Sequence, residues 1–466
     1  MDSSSDHPGI SRRRLLKAGG LGLGAAALGL SPIGRLLAQA GAPGATHPGY
    51  GPLRAVRDLN TNLPLLLLPE GFSYTTFGWT HEAMADGQPT PGAHDGMGVV
   101  RAEGSVVTLV RNHEIKAARG SFAPAAATFD PGCSGGTATL RFDTATGKLL
   151  QSHASLGGTI NNCGGGTTPW GTWLSCEEFV SAAGPVILGG TEHQLARDHG
   201  FVFEVPADGV SRAEPLLAMG QFKHEAVSVD PRTGIFYLTE DTEPQAGFYR
   251  MVPKVAGQPV RGGRLQMLRA VGAPDLRSGR RVGERLRVQW VDIPDPEAGM
   301  EADGGGLGVL RQGAAGGGSL FTRLEGVIVG DGRVFFTATN GGDAACGQVW
   351  AYHPEAEMLE LAFESPDPLV LDYPDNVVLS PRGGLVICED SKQPVQRLYG
   401  LDREGGLFEF CRNNVRLDGA MGFAGDFRGR EWAGACFSPD GKWLFANVYA
   451  PGFTVAITGP WRNGLV

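Results

Sequence analysis

The sequence is short of positive charge: 40 Lys and Arg stand against 49 Asp and Glu, a net charge of −9. It carries no nucleic-acid footprint, which excludes a role built on phosphate-backbone tracking. It also lacks an apolar stretch fit to cross a bilayer. The best candidate, residues 18–30, is a Gly/Ala/Leu run too short and too weakly hydrophobic, so no stable membrane span is expected. An even set of cysteines is missing as well; with seven, at least one is free or bound to something other than a second Cys.

Glycine, by contrast, is abundant. It supplies 72 of 466 residues, with 31 prolines, while 42% of the chain is still hydrophobic. That balance fits many short strands joined by tight turns better than it fits disorder. At the N-terminus, Ser11-Arg12-Arg13-Arg14-Leu15-Leu16-Lys17 precedes the 18–30 run, and Ala38-Gln39-Ala40 is a cleavage pattern. Residues 1–40 therefore read as an export signal for the twin-arginine translocation machinery, with a periplasmic or extracellular destination. Residues 41–466 read as a single domain. Removing residues 1–40 takes away five basic and two acidic side chains, leaving 35 basic against 47 acidic, net −12.

The segment H-E-A-V-S-V-D-P-R-T-G-I-F-Y-L-T-E-D at 224–241 has turn residues in the middle, Asp230, Pro231 and Gly234, between two runs of strand composition. Folded into a hairpin, it brings Glu225 and the Glu240/Asp241 pair to one end, where like charges repel unless a cation or water lies between them. Related hairpins end at Glu114, Glu178, Asn340, Asp390 and Asn447, making six in all. Most begin on a polar residue: Asn162 with Cys163, Glu225, Glu325, Asn376, and less regularly Asp95 and Glu431. Six hairpins that cannot bury themselves alone suggest an all-β, six-bladed β-propeller whose polar ends line a central tunnel. Neighbouring strand residues face opposite ways, so Glu177 with Glu178, or Glu240 with Asp241, can serve two cations, and a multinuclear metal cluster is expected.

Cysteine offers a contrast. Cys176 and Cys388 stand where the 224–241 hairpin has Thr239 and read as small packed residues. Cys163 lies instead in N-N-C-G-G-G-T-T-P-W-G, where Gly164 to Gly166 let the backbone approach a ligand, so it reads as a metal ligand, a nucleophile or a structural Cys. His113 and His224 each precede a repeat acid and can ligate metal or orient a carboxylate. The largest insertion, 274–318, reads as a lid or a surface loop.

In combination, N-H-E at 112–114, N-x-C-G-G with T-P-W-G-T-W-L-S-C-E-E at 161–178, H-E-A and T-E-D at 224–241, R-x-E-G at 323–326, I-C-E-D at 387–390 and E-W-A-G-A-C-F-S-P-D-G at 431–441 resemble the PhoX-type alkaline phosphatases. The resemblance spans nearly all of the chain beyond the export signal, though the chain is short for that family. It implies an exported six-bladed propeller that hydrolyses small phosphomonoesters with a cluster of iron and calcium ions. Carried over by motif, Cys163 would ligate iron, and Glu225, Glu240, Glu325 and Glu389 would be cluster carboxylates, joined by Glu178 and Asp241. Arg323 would clamp phosphate, so Arg323, Cys163 and Glu225 carry the catalytic assignment. Two rival readings are a calcium-dependent propeller lactonase, which leaves Cys163 and Arg323 without a role, and a non-catalytic exported propeller that binds a ligand or partner.

Overall fold

The computed structural model describes residues 49–301, 305–403 and 405–466, so the export signal expected at 1–40 lies outside the described residues. The described chain is all-β with a propeller-like arrangement of sheets. The expected hairpins form, each by antiparallel pairing. The first pairs His94–Glu103 with Val106–His113, the second Asn162–Thr167 with Thr172–Glu177, and the third His224–Val229 with Phe236–Glu240. The fourth pairs Leu324–Gly330 with Arg333–Ala338, the fifth Pro374–Leu379 with Leu385–Glu389, and the sixth Trp432–Phe437 with Trp443–Val448. The turn chemistry is visible in the third. Gly234, at φ 73°, donates its N–H to the Asp230 carbonyl at 2.8 Å, a conformation that costs glycine little.

The partition into blades differs from six separate sheets. Four of the sheets carry four or more strands. The third and fourth hairpins share a nine-stranded sheet because Arg285–Asp292 pairs with Gly263–Ala270 on one side and with Met358–Glu364 on the other. That bridging strand belongs to 274–318. The same insertion supplies the α-helix Gly308–Ala315, whose Val309 and Leu310 are buried among Met267 and Ile293, so much of the segment is packed structure rather than surface loop. The second hairpin gains only one further strand, Val202–Pro206, because the chain between is used in a separate ribbon of Gly184–Leu188 and Thr191–Leu195.

The first strands of the hairpins nevertheless pack side by side in chain order, and the sixth lies against the first. Closure is secured by the early strand Ser73–Phe77, which pairs with Phe453–Thr458 to complete the last sheet. The inner strands are too close for side chains at some points. A Cβ on Gly434 would lie 2.5 Å from the Asp95 carbonyl oxygen, across the junction of the sixth and first hairpins. Apolar side chains fill the wedges between sheets, as where Met97, Leu109 and Leu140 meet Cys436 and Phe445. Each buried Leu or Phe there is worth roughly 1.5–3 kcal/mol of transfer free energy. Cys176 and Cys388 are fully buried in such wedges, and all seven cysteines are unpaired. Among the described residues no helix is long and apolar enough to cross a membrane.

Candidate metal centre

Every one of the six first strands slips register at the same place, just after its first paired residue or the one following. The slips fall between His94 and Met97, Asn162 and Gly165, His224 and Val227, Leu324 and Val327, Pro374 and Val377, and Ala433 and Cys436. A bulge re-aims the residue it carries. The residues so placed are Asp95, Cys163, Glu225, Glu325, Asp375 and Gly434. Five of the six are potential metal donors.

Four of the bulges are held by a side chain of the preceding hairpin. Asn112 Nδ2 donates to the carbonyls of Cys163 and Gly164 at 2.7 and 2.6 Å, Thr239 Oγ1 to that of Glu325 at 2.5 Å, and Thr337 Oγ1 to that of Asp375 at 2.7 Å. Asn447 Nδ2, from the sixth hairpin, donates to the Asp95 carbonyl of the first at 2.5 Å. Asn376, expected to start the fifth hairpin, instead accepts the Ala435 N–H at 2.9 Å, and Asp375 takes the bulge position. Gly164 must be glycine, since a Cβ there would sit 2.4 Å from the Glu225 carbonyl oxygen.

Three donor groups result, with ligand atoms in each within 4.8 Å of one another: Cys163 with Glu178 and Glu225; Glu225 with Glu325 and Asp375; and Asp95 with Glu114 and Glu431. Glu225 is shared by the first two. Sulfur with oxygen in the first group suits a transition metal, while the all-carboxylate groups suit a hard cation such as calcium. Electrostatics supports the fit. Burial, followed by repulsion from Glu325, holds Glu225 well above the usual carboxylate range. Burial, then Asp241, does the same to Glu325, and burial, then Asp390, to Asp375 and Glu431. Glu178 is pushed up to about 8 by burial and Asp241, and Glu114 to about 6, chiefly by burial. Asn161 bridges these last two, its Nδ2 donating at 2.8 Å to Glu178 and 3.0 Å to Glu114. Burial, then Glu225, raises the Cys163 thiol well above its ordinary value, and its Sγ donates to the His224 carbonyl at 3.2 Å. Such a thiol is not a free thiolate nucleophile; a bound cation in place of its proton is what would make it a ligand.

Arg323 stands at the edge of this acidic set with φ 41°. Its Nε and Nη2 donate to the two Asp241 oxygens at 3.1 Å each, and Nη2 also to Glu325 at 2.6 Å. Burial lowers its pKa, but Glu325 and Asp241 outweigh that and hold it fully charged. Its side chain remains 23% exposed, so the guanidinium borders both the carboxylates and the open space.

Of the expected site residues, Cys163, Glu178, Glu225, Asp241, Glu325 and Arg323 are brought together, while Glu240 and Glu389 are not. Glu240 accepts the Gly247 N–H and the Tyr249 hydroxyl at 2.9 and 2.7 Å inside its blade. Glu389 is clamped by Arg397 at 2.6 and 2.8 Å and by the Asp372 N–H. His113 and His224 approach the Gly92 and Gly220 carbonyls at 2.9 Å and belong to no donor group, and burial pulls His224 down to about 3. Asp95, Glu114 and Glu431 are among the polar hairpin ends expected to line the tunnel but carried no individual ligand assignment, and Asp375 was not singled out. The register slip that presents the bulge residue is a backbone feature, which composition does not display.

The sequence profile of the alkaline phosphatase PhoX family matches residues 48–141 and 131–452. The chain belongs to the PhoX family. No curated protein matches it. Among solved structures, a gluconolactonase from Xanthomonas campestris is 12% identical with a TM-score of 0.40, over 89% of this chain and 99% of that one. The periplasmic gluconolactonase PpgL of Pseudomonas aeruginosa is 14% identical with a TM-score of 0.34, over 81% and 88%. Hydrazine synthase of Kuenenia stuttgartiensis is 13% identical with a TM-score of 0.33, over 81% and 97%.

Proposed function

We propose that this PhoX-family chain is an exported alkaline phosphatase that hydrolyses small phosphomonoesters at the mouth of a six-bladed ring. The closed circuit of first strands supports counting six blades, even though two of them share one sheet. The observation that carries the activity is Arg323: a planar donor fork beside Glu325 and Asp241, on the rim of a thiol and carboxylate cluster. A lone phosphate site would be built from donors, and a lone calcium site would have no use for a guanidinium. A guanidinium and a donor cluster side by side suit a dianion bound against cations.

In this reading Cys163, Glu178 and Glu225 hold iron, and Glu225 with Glu325 and Asp375, and Asp95 with Glu114 and Glu431, hold calcium. When bound, these ions supply the positive charge that offsets a phosphate dianion and the charge developing on the transferred group. Arg323 orients a phosphoryl oxygen through Nη1, the guanidinium nitrogen that Asp241 and Glu325 leave unused. Asp241 fixes the guanidinium plane by two parallel hydrogen bonds, and Asn112, Thr239 and Thr337 keep the donor residues in place by anchoring their carbonyls. The ester is cleaved by water: oxygen joins phosphorus and the alcohol departs with a proton.

Reaction class is tested by offering the purified, metal-replete protein an aryl phosphate and a sugar lactone at alkaline pH. Phosphate release that stops on calcium chelation and returns with calcium is expected. Lactone turnover without phosphate release would give the site to a lactonase, and inactivity on both with calcium alone bound would leave a binding protein. Export through the twin-arginine pathway rests on Arg12 and Arg13. Replacing both by Lys keeps the charge and should retain the precursor in the cytoplasm; undiminished periplasmic delivery would remove that assignment.

A further inference from the structure

Outside the tunnel, Asp130, Cys133 and His199 form a second kind of donor group, with ligand atoms within 4.8 Å of one another. All three are buried, their relative exposures being 1%, 0% and 0%. They come from two separate connections, 130–133 following the first hairpin and 199 following the ribbon of the second. Unlike the tunnel groups, this one mixes sulfur, nitrogen and oxygen and includes a single carboxylate.

The spacing is informative. His199 Nε2 lies 3.6 Å from Asp130 Oδ2 and 3.7 Å from Cys133 Sγ. The first distance is beyond an N–H···O hydrogen bond, and the second is a weak contact for sulfur. Tetrahedral zinc with its usual bond lengths puts N and O about 3.3 Å apart and N and S about 3.6 Å apart. His199 Nε2 is thus separated from Asp130 and Cys133 by close to the edge lengths of such a tetrahedron, the contact with Cys133 being no more than a weak hydrogen bond.

Each donor is also oriented from behind. The other nitrogen of His199, Nδ1, is 2.7 Å from Glu177 Oε1, and Glu177 is itself fixed by the N–H groups of Ile160, Gly200 and Phe201 at 2.9, 2.9 and 3.2 Å. This is the carboxylate–histidine arrangement that points the remaining imidazole nitrogen at a metal. Asp130 accepts the Gly132 N–H at 3.0 Å on Oδ1 and the Ala196 N–H at 2.7 Å on Oδ2, and the Cys133 N–H donates to the Asp130 carbonyl at 3.1 Å. Phe129 stacks edge-on against the imidazole with ring centroids 5.4 Å apart, which keeps water off the site.

We infer that Asp130, Cys133 and His199 form a separate buried site for a zinc-class divalent ion, oriented by Glu177 and stapling the first hairpin's connection to the second's. It lies apart from the tunnel chemistry and stands whether or not the chain is a phosphatase. The metal binds as the Cys133 and imidazole protons leave, so no redox partner is required.

Cobalt(II) is a suitable probe because a bound thiolate gives it a charge-transfer absorption. The mature chain carrying Cys163→Ala removes the tunnel thiol from that signal. In this background one equivalent of cobalt should give the thiolate band. Adding Cys133→Ser or His199→Gln should abolish it, and Glu177→Gln should keep the band while weakening affinity about 10–100-fold. Cooperative thermal unfolding identifies variants that still fold, and either ligand variant alone suffices for the test. Absence of the band in the Cys163→Ala protein, or its persistence in a folded Cys133→Ser or His199→Gln variant, would overturn the site.

Discussion

Glu177 and Glu178 are adjacent in sequence, as are Glu240 and Asp241, and Glu389 and Asp390, yet the members of each pair do opposite work. Glu177, Glu240 and Glu389 turn into their blades, where backbone N–H groups, Tyr249 or Arg397 meet them. Glu178, Asp241 and Asp390 turn into the tunnel, where acids crowd one another. The lesson is that residue type does not assign the role. Strand alternation sends one carboxylate to fasten the next loop and its neighbour to a site short of positive charge. The blade-facing acids find donors within the blade, Glu240 on Oε2 only; the tunnel-facing acids call for cations.

The sharpest break of that comparison on the tunnel side is Arg323→Ala. It should lower kcat/KM for an aryl phosphate by about 100- to 1000-fold, the scale of losing a preorganised charge-stabilising donor, while the ion content measured by elemental analysis stays at the parent level. Loss of the ions together with activity would reassign Arg323 from substrate to cluster assembly.

A smaller effect sharpens the comparison through pH. In metal-free protein, Glu178 at about 8 and Glu114 at about 6 lie above their ordinary values in the folded state. The folded state then holds protons that the unfolded chain has already released, so this contribution to stability is present below pH ~4.5 and is lost as pH rises toward 8. The melting temperature of chelator-treated protein should fall across that window and recover on adding calcium. A metal-free melting temperature that rises from pH 5 to 8 would mean that these acids are compensated by protein groups alone.

Much of this was legible in the sequence. The repeated hairpins, the glycine-rich approach to Cys163 and the R-x-E-G segment pointed to an all-β propeller-like chain and to Cys163, Glu225, Arg323 and Glu325, which the fold gathers. Two physical details were hidden. The bulge is a backbone feature, so Asn376 looked like the fifth hairpin's leading residue although the register slip presents Asp375. Partners distant in sequence decide which of two adjacent acids is satisfied: Tyr249 for Glu240 and Arg397 for Glu389 are read only from the folded sheet. The sharing of one sheet by the third and fourth hairpins was hidden for a similar reason, since Arg285–Asp292 lies inside what looked like an insertion.

The central claim is that placement at the bulges and hairpin ends, not acidity as such, makes the metal centre. Elemental analysis of three purified variants tests it directly: Cys163→Ala, Glu225→Gln and Glu240→Gln. Cys163→Ala should lose iron, Glu225→Gln should lose both iron and calcium because its carboxylate joins two donor groups, and Glu240→Gln should keep the parent ion content at some cost in thermal stability. Full iron and calcium in Glu225→Gln, or loss of ions in a folded Glu240→Gln, would contradict the account.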